Sequence, residues 1–180
     1  MIQWFDMPAA GRRRYPGMKT LLIVYHSMTG GTLQLAQSAA AGARSQGTVA
    51  VNLLAAAETR VEHVLDAHGY LFATPENLAA MAGLLKDFFD RTYYSALGRL
   101  EGRPYAILVC AGSDGQNAAR QIERIATGWR LRSIADPVIV CTHAQTTEEI
   151  LRPKIIEAPQ LRRCEELGAT MAAGLELGVF

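Results

Sequence analysis

The sequence lacks both a broad region of one charge and an apolar segment long enough to cross a bilayer. Its 18 Lys and Arg residues face 17 Asp and Glu residues, which gives a net charge of +1. Proteins that bind nucleic acid through its phosphates carry a marked basic excess, so nucleic acid is not expected as a partner. Without an apolar run of roughly 20 residues or a secretory h-region, we expect no membrane association and a cytoplasmic location.

Cysteine and histidine are too few and too scattered for a disulfide framework or a metal centre. The 3 cysteines have no CxxC spacing and are interpreted as buried thiols in a reducing compartment. The 4 histidines fall in different predicted loops without the spacing of metal ligands. We therefore predict no metal site.

The length of 180 residues fits one domain with one core. Residues 1–17 stand apart, since they hold a basic cluster, Arg12 to Arg14, and end in the turn-forming pair Pro16-Gly17. We interpret them as a flexible extension, with a docking arm as the alternative. The folded domain is then expected to span residues 18–180.

From Met18 onward, short apolar runs alternate with longer stretches of helical period, a pattern typical of βαβ units and a parallel sheet. The predicted strands are residues 21–25, 49–53, 69–73, 105–110 and 138–141. The predicted helices are residues 32–46, 61–67, 81–94, 117–128 and 159–177. In the third helix, the apolar face is predicted to contain Met81, Leu84, Leu85, Phe88 and Phe89. Open parallel sheets place their ligand sites at the carboxyl ends of the strands, so the loops there matter most.

The loop after the first strand, His26 to Thr32, has the chemistry of an anion site. Its glycines, Gly30 and Gly31, directly precede a helix, whose first N–H groups are free and whose dipole favours negative charge. The loop contains no lysine or arginine, so we expect a phosphate to be bound here by neutral donors alone. It also lacks the GK[ST] ending of nucleoside-triphosphate loops and the GxGxxG of dinucleotide folds. The alternative is an ordinary capped turn.

Ser27-x-Thr29-Gly30-x-Thr32 resembles the phosphate loop of flavodoxins, which surrounds the phosphate of flavin mononucleotide (FMN). The segment Thr74 to Arg91 is similar to the ring-binding loop and helix of NAD(P)H-dependent FMN and quinone reductases. It departs from that family at Asn77, where an aromatic residue is usual, and at Ala79 and Ala80, which replace a glycine and a serine. The loop from Ala111 to Asn117 is similar to the second flavin loop of the same family.

This resemblance implies an α/β flavodoxin-like three-layer sandwich, with a five-stranded parallel sheet of order 2-1-3-4-5 and helices on both faces. It also implies FMN as cofactor, NAD(P)H as co-substrate and a homodimer or homotetramer. The residues expected to bind the cofactor are Ser27, Met28, Thr29, Gly30, Gly31, Thr32, Thr74, Pro75, Glu76, Asn77, Leu78, Ala79, Ala111, Gly112, Ser113, Gly115 and Gln116.

The expected function is electron transfer from NAD(P)H through FMN to a small quinone or flavin acceptor. No catalytic acid or base is predicted, because hydride transfer is the flavin's own chemistry. One alternative is an electron carrier between proteins, although the balanced charge argues against it. A second alternative is a domain that has lost the flavin and acts in binding or regulation, which the changes at Asn77, Ala79 and Ala80 would favour.

Overall fold

A parallel sheet covered by helices on both faces forms the centre of the molecule in a computed structural model that describes residues 17–180. Its strands are β1 (Thr20–Tyr25), β2 (Ala50–Ala55), β3 (Gly69–Asn77), β4 (Ala80–Met81), β5 (Pro104–Ala111), β6 (Arg132–Ser133) and β7 (Val138–Cys141). The helices are α1 (Gly31–Ser45), α2 (Val61–Asp66), α3 (Gly83–Ala96), α4 (Gln116–Gly128), α5 (Thr147–Leu151) and α6 (Ala158–Leu177).

The parallel strands follow the order β2-β1-β3-β5, and both β6 and β7 pair with the far edge of β5. β6 and β7 therefore share one sheet position, because the chain leaves the sheet between Ser133 and Val138. With that position counted as the fifth strand, the predicted order 2-1-3-4-5 is confirmed. The sheet has 7 strands in all, since β4 adds a short antiparallel partner to the end of β3.

The central strands are apolar on both faces because helices cover both. In β1, the side chains from Leu21 to Val24 are fully buried and alternate between two separate hydrophobic clusters. One cluster lies under α3 and α4 and is rich in aromatic rings, with the Phe89 ring 5.0 Å from Phe72 and 5.3 Å from Trp129. The other cluster lies under α1 and α6.

Helices α1 and α6 pack closely because each has a glycine where they meet. A Cβ on Gly42 would lie 1.9 Å from the carbonyl oxygen of Glu165, and one on Gly168 would lie 1.9 Å from that of Ala39. No larger side chain fits such distances without moving a backbone. This contact fixes α1, whose first residue belongs to the predicted phosphate loop.

The structure corrects several predicted boundaries. β3 continues through Thr74 to Asn77, a stretch predicted as a loop, and pairs with β4 as an antiparallel hairpin. Met81 consequently belongs to β4, and α3 begins at Gly83. The buried stripe of α3 starts at Leu85, so the prediction that Leu84 lies on the apolar face was wrong.

Two short elements, α5 and β6, were not predicted. Both are too short to give a periodic signal, and neither has a fully buried residue. The predicted N-terminal extension lies outside the described residues except for Gly17. Within residues 17–180, no helix is long and apolar enough to span a membrane.

Candidate functional site

A cavity of about 500 Å³ opens at the carboxyl ends of β1, β3, β5 and β7. This is the position that open parallel sheets use for ligands. The lining comes from all three loops singled out in the sequence and from the segment after β7. The lining residues are Ser27, Met28, Thr29, Gly31, Thr32, Pro75, Glu76, Asn77, Leu78, Cys110, Ala111, Gly112, Thr142, Ala144, Ile150, Leu151 and Lys154.

The first loop presents a helix start to this cavity. Gly30 caps α1 with a left-handed backbone (φ 85°), a conformation that a residue with a Cβ adopts at a cost. Ser27 Oγ accepts the N–H of Leu33 at 3.3 Å. Gly31 and Thr32 follow the cap, where helix N–H groups have no acceptor within the helix. The buried Thr32 Oγ1 has no hydrogen-bond partner among the described residues.

The cavity wall leaves no room for a side chain at Gly31. A Cβ there would lie 2.6 Å from Cys110 Sγ and 3.4 Å from Lys154 Cβ. Cys110 stands near the end of β5, and Lys154 comes from the segment after α5. Three distant parts of the chain thus meet at the first residue of α1.

The second loop is a tight hairpin rather than an open loop. Its two turn residues, Leu78 and Ala79, both have positive φ (51° and 58°), which is unfavourable for residues other than glycine. Thr74 supports the base of the hairpin, because its Oγ1 accepts the N–H of Ala82 at 3.0 Å. Leu78 is fully exposed at the tip. The backbone strain therefore lies at the edge of the cavity.

The hairpin is held to the third loop by polar contacts. Glu76 Oε2 accepts the N–H of Gly115 at 2.7 Å, and Asn117 Nδ2 donates to the carbonyl oxygen of Ala79 at 2.5 Å. The other carboxylate oxygen of Glu76, Oε1, is buried and has no partner within residues 17–180. These contacts within the protein hold the two loops at a fixed spacing without a bound ligand.

The structure brings most of the predicted cofactor residues together around the cavity. Those that do not line it are Gly30, Thr74, Ala79, Ser113, Gly115 and Gln116. Thr74, Ala79 and Gly115 instead support the backbone of the lining residues, through the contacts given above. Gly115 also has positive φ (86°), and a Cβ there would lie 2.6 Å from Ile139 Cγ2. Ser113 and Gln116 are exposed beside the opening.

Sequence reasoning missed part of the lining. The missed residues are Cys110, Thr142, Ala144, Ile150, Leu151 and Lys154. Most of them belong to residues 142–154, a segment without strong periodicity between the predicted fifth strand and the last predicted helix. The capping box of Thr146 and Glu149 was the one local signal that a helix starts there.

Two titratable groups near the loop are held in their neutral form. Burial raises the pKa of the Cys110 thiol to about 11, although the positive charge of Lys154 opposes the effect. Burial lowers the pKa of His26 below 6.5, so the side chain that precedes the loop is neutral at pH 7. Cys110 is therefore an inert wall residue rather than a nucleophile.

A second cavity of about 310 Å³ lies at the amino ends of the strands. One of its basic residues, Arg103, is already engaged, since Nη1 donates to the carbonyl oxygen of Leu65 at 2.9 Å and to Tyr70 Oη at 3.0 Å. These contacts close the end of α2 and leave Arg103 in a structural role. Within residues 17–180, no group of three or more His, Cys, Asp or Glu side chains could hold a metal ion.

Comparison with known protein families gives a match over most of the chain. Residues 33–146 match the model of the NADPH-dependent FMN reductase family. The chain belongs to this family. Membership in the FMN reductase family implies FMN as the cofactor. The matched range includes the hairpin and the β5–α4 loop, and it begins directly after the phosphate loop.

Curated relatives of this FMN reductase family member include a flavodoxin and a quinone dehydrogenase. The chain is 32% identical to a flavodoxin of Aquifex aeolicus (strain VF5) over 96 residues, which is 53% of the chain and 50% of the relative. It is 30% identical to an NAD(P)H dehydrogenase (quinone) of Acidithiobacillus ferrooxidans over 113 residues, or 51% of the chain and 56% of the relative. The chain thus matches only about half the length of these relatives.

Solved structures establish the fold. A flavodoxin from the domain Archaea superposes with a TM-score of 0.71 at 16% identity, over 87% of this chain and 99% of that one. A WrbA-like flavodoxin from Agrobacterium tumefaciens gives 0.69 at 15% identity, over 88% and 98% of the two chains. The predicted flavodoxin-like architecture is therefore confirmed.

The residues present fit FMN. A phosphate needs hydrogen-bond donors, and the start of α1 offers free N–H groups together with the unpartnered hydroxyl of Thr32. A flat ring needs an apolar slot, and Leu78, Ala111 and Leu151 line the same cavity. The volume of about 500 Å³ lies within the range of small-molecule sites.

Proposed function

We propose that this FMN reductase family member binds FMN in the large cavity and passes electrons from NAD(P)H to a small acceptor, a quinone or a free flavin. The observation that carries the proposal is the mixed lining of the cavity. The start of α1 brings helix N–H groups and hydroxyls to it, and exposed apolar side chains form its rim. The family match and the quinone dehydrogenase relative support the same reading.

The start of α1 would hold the phosphate. Ser27, Thr29 and Thr32 supply hydroxyls there, and the backbone of Gly31 and Thr32 supplies N–H groups. Because α1 is fixed against α6 through Gly42 and Gly168, these donors are positioned before the cofactor arrives. Preorganised donors bind an anion more tightly than flexible ones, because less ordering is needed.

The rest of the cavity would receive the ring. The hairpin residues Pro75 to Leu78 and the loop residues Ala111 and Gly112 line its walls. Bound FMN supplies the two-electron redox chemistry, so no catalytic acid or base is required of the protein. The chain orients the ring between these walls and keeps one face of it open to a second molecule.

The rim of the cavity fits an apolar acceptor. Met28, Leu78, Ile150 and Leu151 all line the cavity and are all exposed, and none of them carries a charge. A planar, weakly polar molecule gains from covering such side chains. NAD(P)H and the acceptor would use the same open face in turn, which gives ping-pong kinetics.

No specific observation in the structure favours either alternative function, the electron carrier between proteins or the domain that has lost its flavin. A protein-docking carrier is expected to have a strongly acidic face, whereas the chain is almost neutral with a net charge of +1. Loss of the flavin site is disfavoured by the cavity itself, since Asn77 still lines it despite replacing the aromatic residue.

We also propose that the protein is a cytoplasmic homodimer or homotetramer. The outer face of α3 supports an association, because Leu84, Tyr94 and Leu97 are exposed there. Light scattering coupled to size-exclusion chromatography tests this part separately.

Steady-state oxidation of NADPH and NADH by the FMN-loaded protein tests the proposed function. We expect turnover with several quinones and with free flavin, and parallel lines in double-reciprocal plots. Background rates with every acceptor, from a protein that does bind FMN, would contradict the proposal and favour a carrier.

A further inference from the structure

Lys154 lies beside the phosphate loop although the loop itself contains no cation. Its backbone N–H donates to the carbonyl oxygen of Thr29 at 2.8 Å. The Cβ and Cγ of its side chain would lie 3.4 and 3.5 Å from a Cβ on Gly31. The side chain therefore passes over the first residue of α1 and lines the cavity.

The backbone around Lys154 is fixed to α1 by one glutamine. Gln34 Nε2 donates to the carbonyl oxygen of Lys154 at 2.7 Å, and Gln34 Oε1 accepts the N–H of Ile156 at 3.2 Å. Since Gln34 is part of α1, this segment and the phosphate loop move as one unit. The position of Lys154 is therefore built into the fold rather than adopted by a free surface side chain.

The ammonium group of Lys154 is held by backbone carbonyl oxygens. Lys154 Nζ donates to the carbonyl oxygens of Glu149, Ile150 and Arg152, the last two at 2.8 and 3.0 Å. These acceptors are neutral, and within the described residues Lys154 forms no ion pair with a carboxylate. The nearby Glu149 carboxylate is engaged elsewhere, because its Oε2 accepts the N–H groups of Gln145 and Thr146 at 2.9 and 3.0 Å.

The geometry points to Lys154 as the positive charge that balances the FMN phosphate, supplied from a segment remote in sequence. A phosphate monoester carries about −1.5 to −2 charges at pH 7, and neutral donors leave that charge uncompensated. A fixed cation beside the loop stabilises it through a medium less screening than water. The protein is thereby made selective for FMN over riboflavin, which has the same ring and no phosphate. This inference rests on FMN binding and not on the proposed turnover.

Substitution of Lys154 separates its charge from its packing. Lys154→Met keeps the length of the side chain and removes the charge, while Lys154→Arg keeps the charge. Lys86→Met is the matched control, because Lys86 is exposed on α3 and paired with Asp90. FMN and riboflavin are titrated by quenching of flavin fluorescence, and inorganic phosphate is titrated as a competitor of FMN.

We expect Lys154→Met to weaken FMN about tenfold, as loss of one nearby charge would. Riboflavin affinity should stay within about twofold, inorganic phosphate should compete less well, and added salt should weaken FMN binding less than in the unsubstituted protein. Lys154→Arg and Lys86→Met should bind FMN nearly as the unsubstituted protein does.

Three results would overturn the inference. If Lys154→Met weakens the binding of FMN and riboflavin equally, Lys154 only holds the end of α5 in place. If riboflavin binds too weakly to measure, an unchanged inhibition constant for inorganic phosphate leads to the same conclusion. Failure of the unsubstituted protein to bind FMN would also end it. Absence of NAD(P)H turnover in a protein that binds FMN would overturn the proposed function alone.

Discussion

Glu76 in the β3–β4 hairpin and Gly115 in the β5–α4 loop are joined by a hydrogen bond, in which Glu76 Oε2 accepts the N–H of Gly115 at 2.7 Å. Glu76 begins the antiparallel part of β3, and Gly115 caps α4. Replacing Glu76 by Ala removes a charged hydrogen bond and leaves the contact of Asn117 with Ala79 as the other polar link between the hairpin and the β5–α4 loop. We expect FMN to bind about tenfold more weakly, from a loss of about 1.5–3 kcal/mol shared between the fold and the site.

Flavin fluorescence titration measures this effect, and Glu165→Ala, an exposed position on α6, is the control. An Ala variant at Glu76 that binds FMN as tightly as the control would show that the two loops are held in place by other contacts.

Gly31 is predicted to tolerate alanine only when Cys110 is made smaller. The new Cβ would lie 2.6 Å from Cys110 Sγ, so Gly31→Ala should destabilise the protein by about 1–3 kcal/mol and weaken FMN binding. Adding Cys110→Ala should recover part of both losses, because it removes the clashing sulfur. Urea denaturation gives the free energies for this double-mutant cycle.

Gly83→Ala serves as the matched control, since nothing lies within 4 Å of a Cβ there. Losses that simply add in the double variant would contradict the close contact between Gly31 and Cys110.

Gly168→Ala is expected to push helices α1 and α6 apart. A Cβ at this position would lie 1.9 Å from the carbonyl oxygen of Ala39, which cannot move without shifting α1. We predict a loss of about 3 kcal/mol or more in the free energy of unfolding. Gly128→Ala, at the end of α4 with open space around it, should leave stability unchanged or slightly higher. Similar unfolding midpoints for the two variants would rule out a tight helix contact.

The buried thiols make stability depend on pH in the alkaline range. Burial raises the pKa of Cys110 to about 11 and of Cys164 to about 12, from an ordinary value of 9.0. The unfolded chain therefore loses these protons first, so the stabilisation is complete below about pH 9 and is lost as pH rises toward the folded values. Between pH 8 and pH 10 we expect a loss of roughly 2 kcal/mol.

Urea midpoints at the two pH values check this prediction, with the Cys110→Ala/Cys164→Ala protein as reference. The pH-dependent loss should be much smaller in the reference, whatever its absolute stability. Burial also raises the pKa of Tyr70 to about 12, which would add a loss only above pH 10. An equal loss in both proteins would mean that the thiols are not the cause.

Much of the fold follows from periodicity alone. Val138–Cys141 was predicted to the residue, and the other parallel strands and long helices were placed with ends shifted by a few residues. Buried runs such as Leu21 to Val24 carry a strong signal because both faces of the strand are covered. The flavodoxin-like motif then located the phosphate loop, because its spacing lies within one continuous stretch.

The remaining parts depend on contacts that a local pattern does not contain. The turn at Leu78 and Ala79 has the left-handed backbone of a two-residue hairpin, yet lacks the Asn-Gly pair that usually predicts one. Lys154 reaches Gly31 across the fold, and no pattern in the loop sequence indicates this approach. The exposure of Leu84 follows from the hairpin, which delays the start of α3 to Gly83.

The most direct test is titration of the purified protein, stripped of any flavin, with FMN, followed by visible absorption and by quenching of flavin fluorescence. The account predicts saturable binding of one FMN per chain, with a shifted absorption band as the ring leaves water for the cavity. Fluorescence that stays proportional to the added FMN, with no saturation, would show that the cavity does not bind FMN. The proposed electron transfer would then also be wrong.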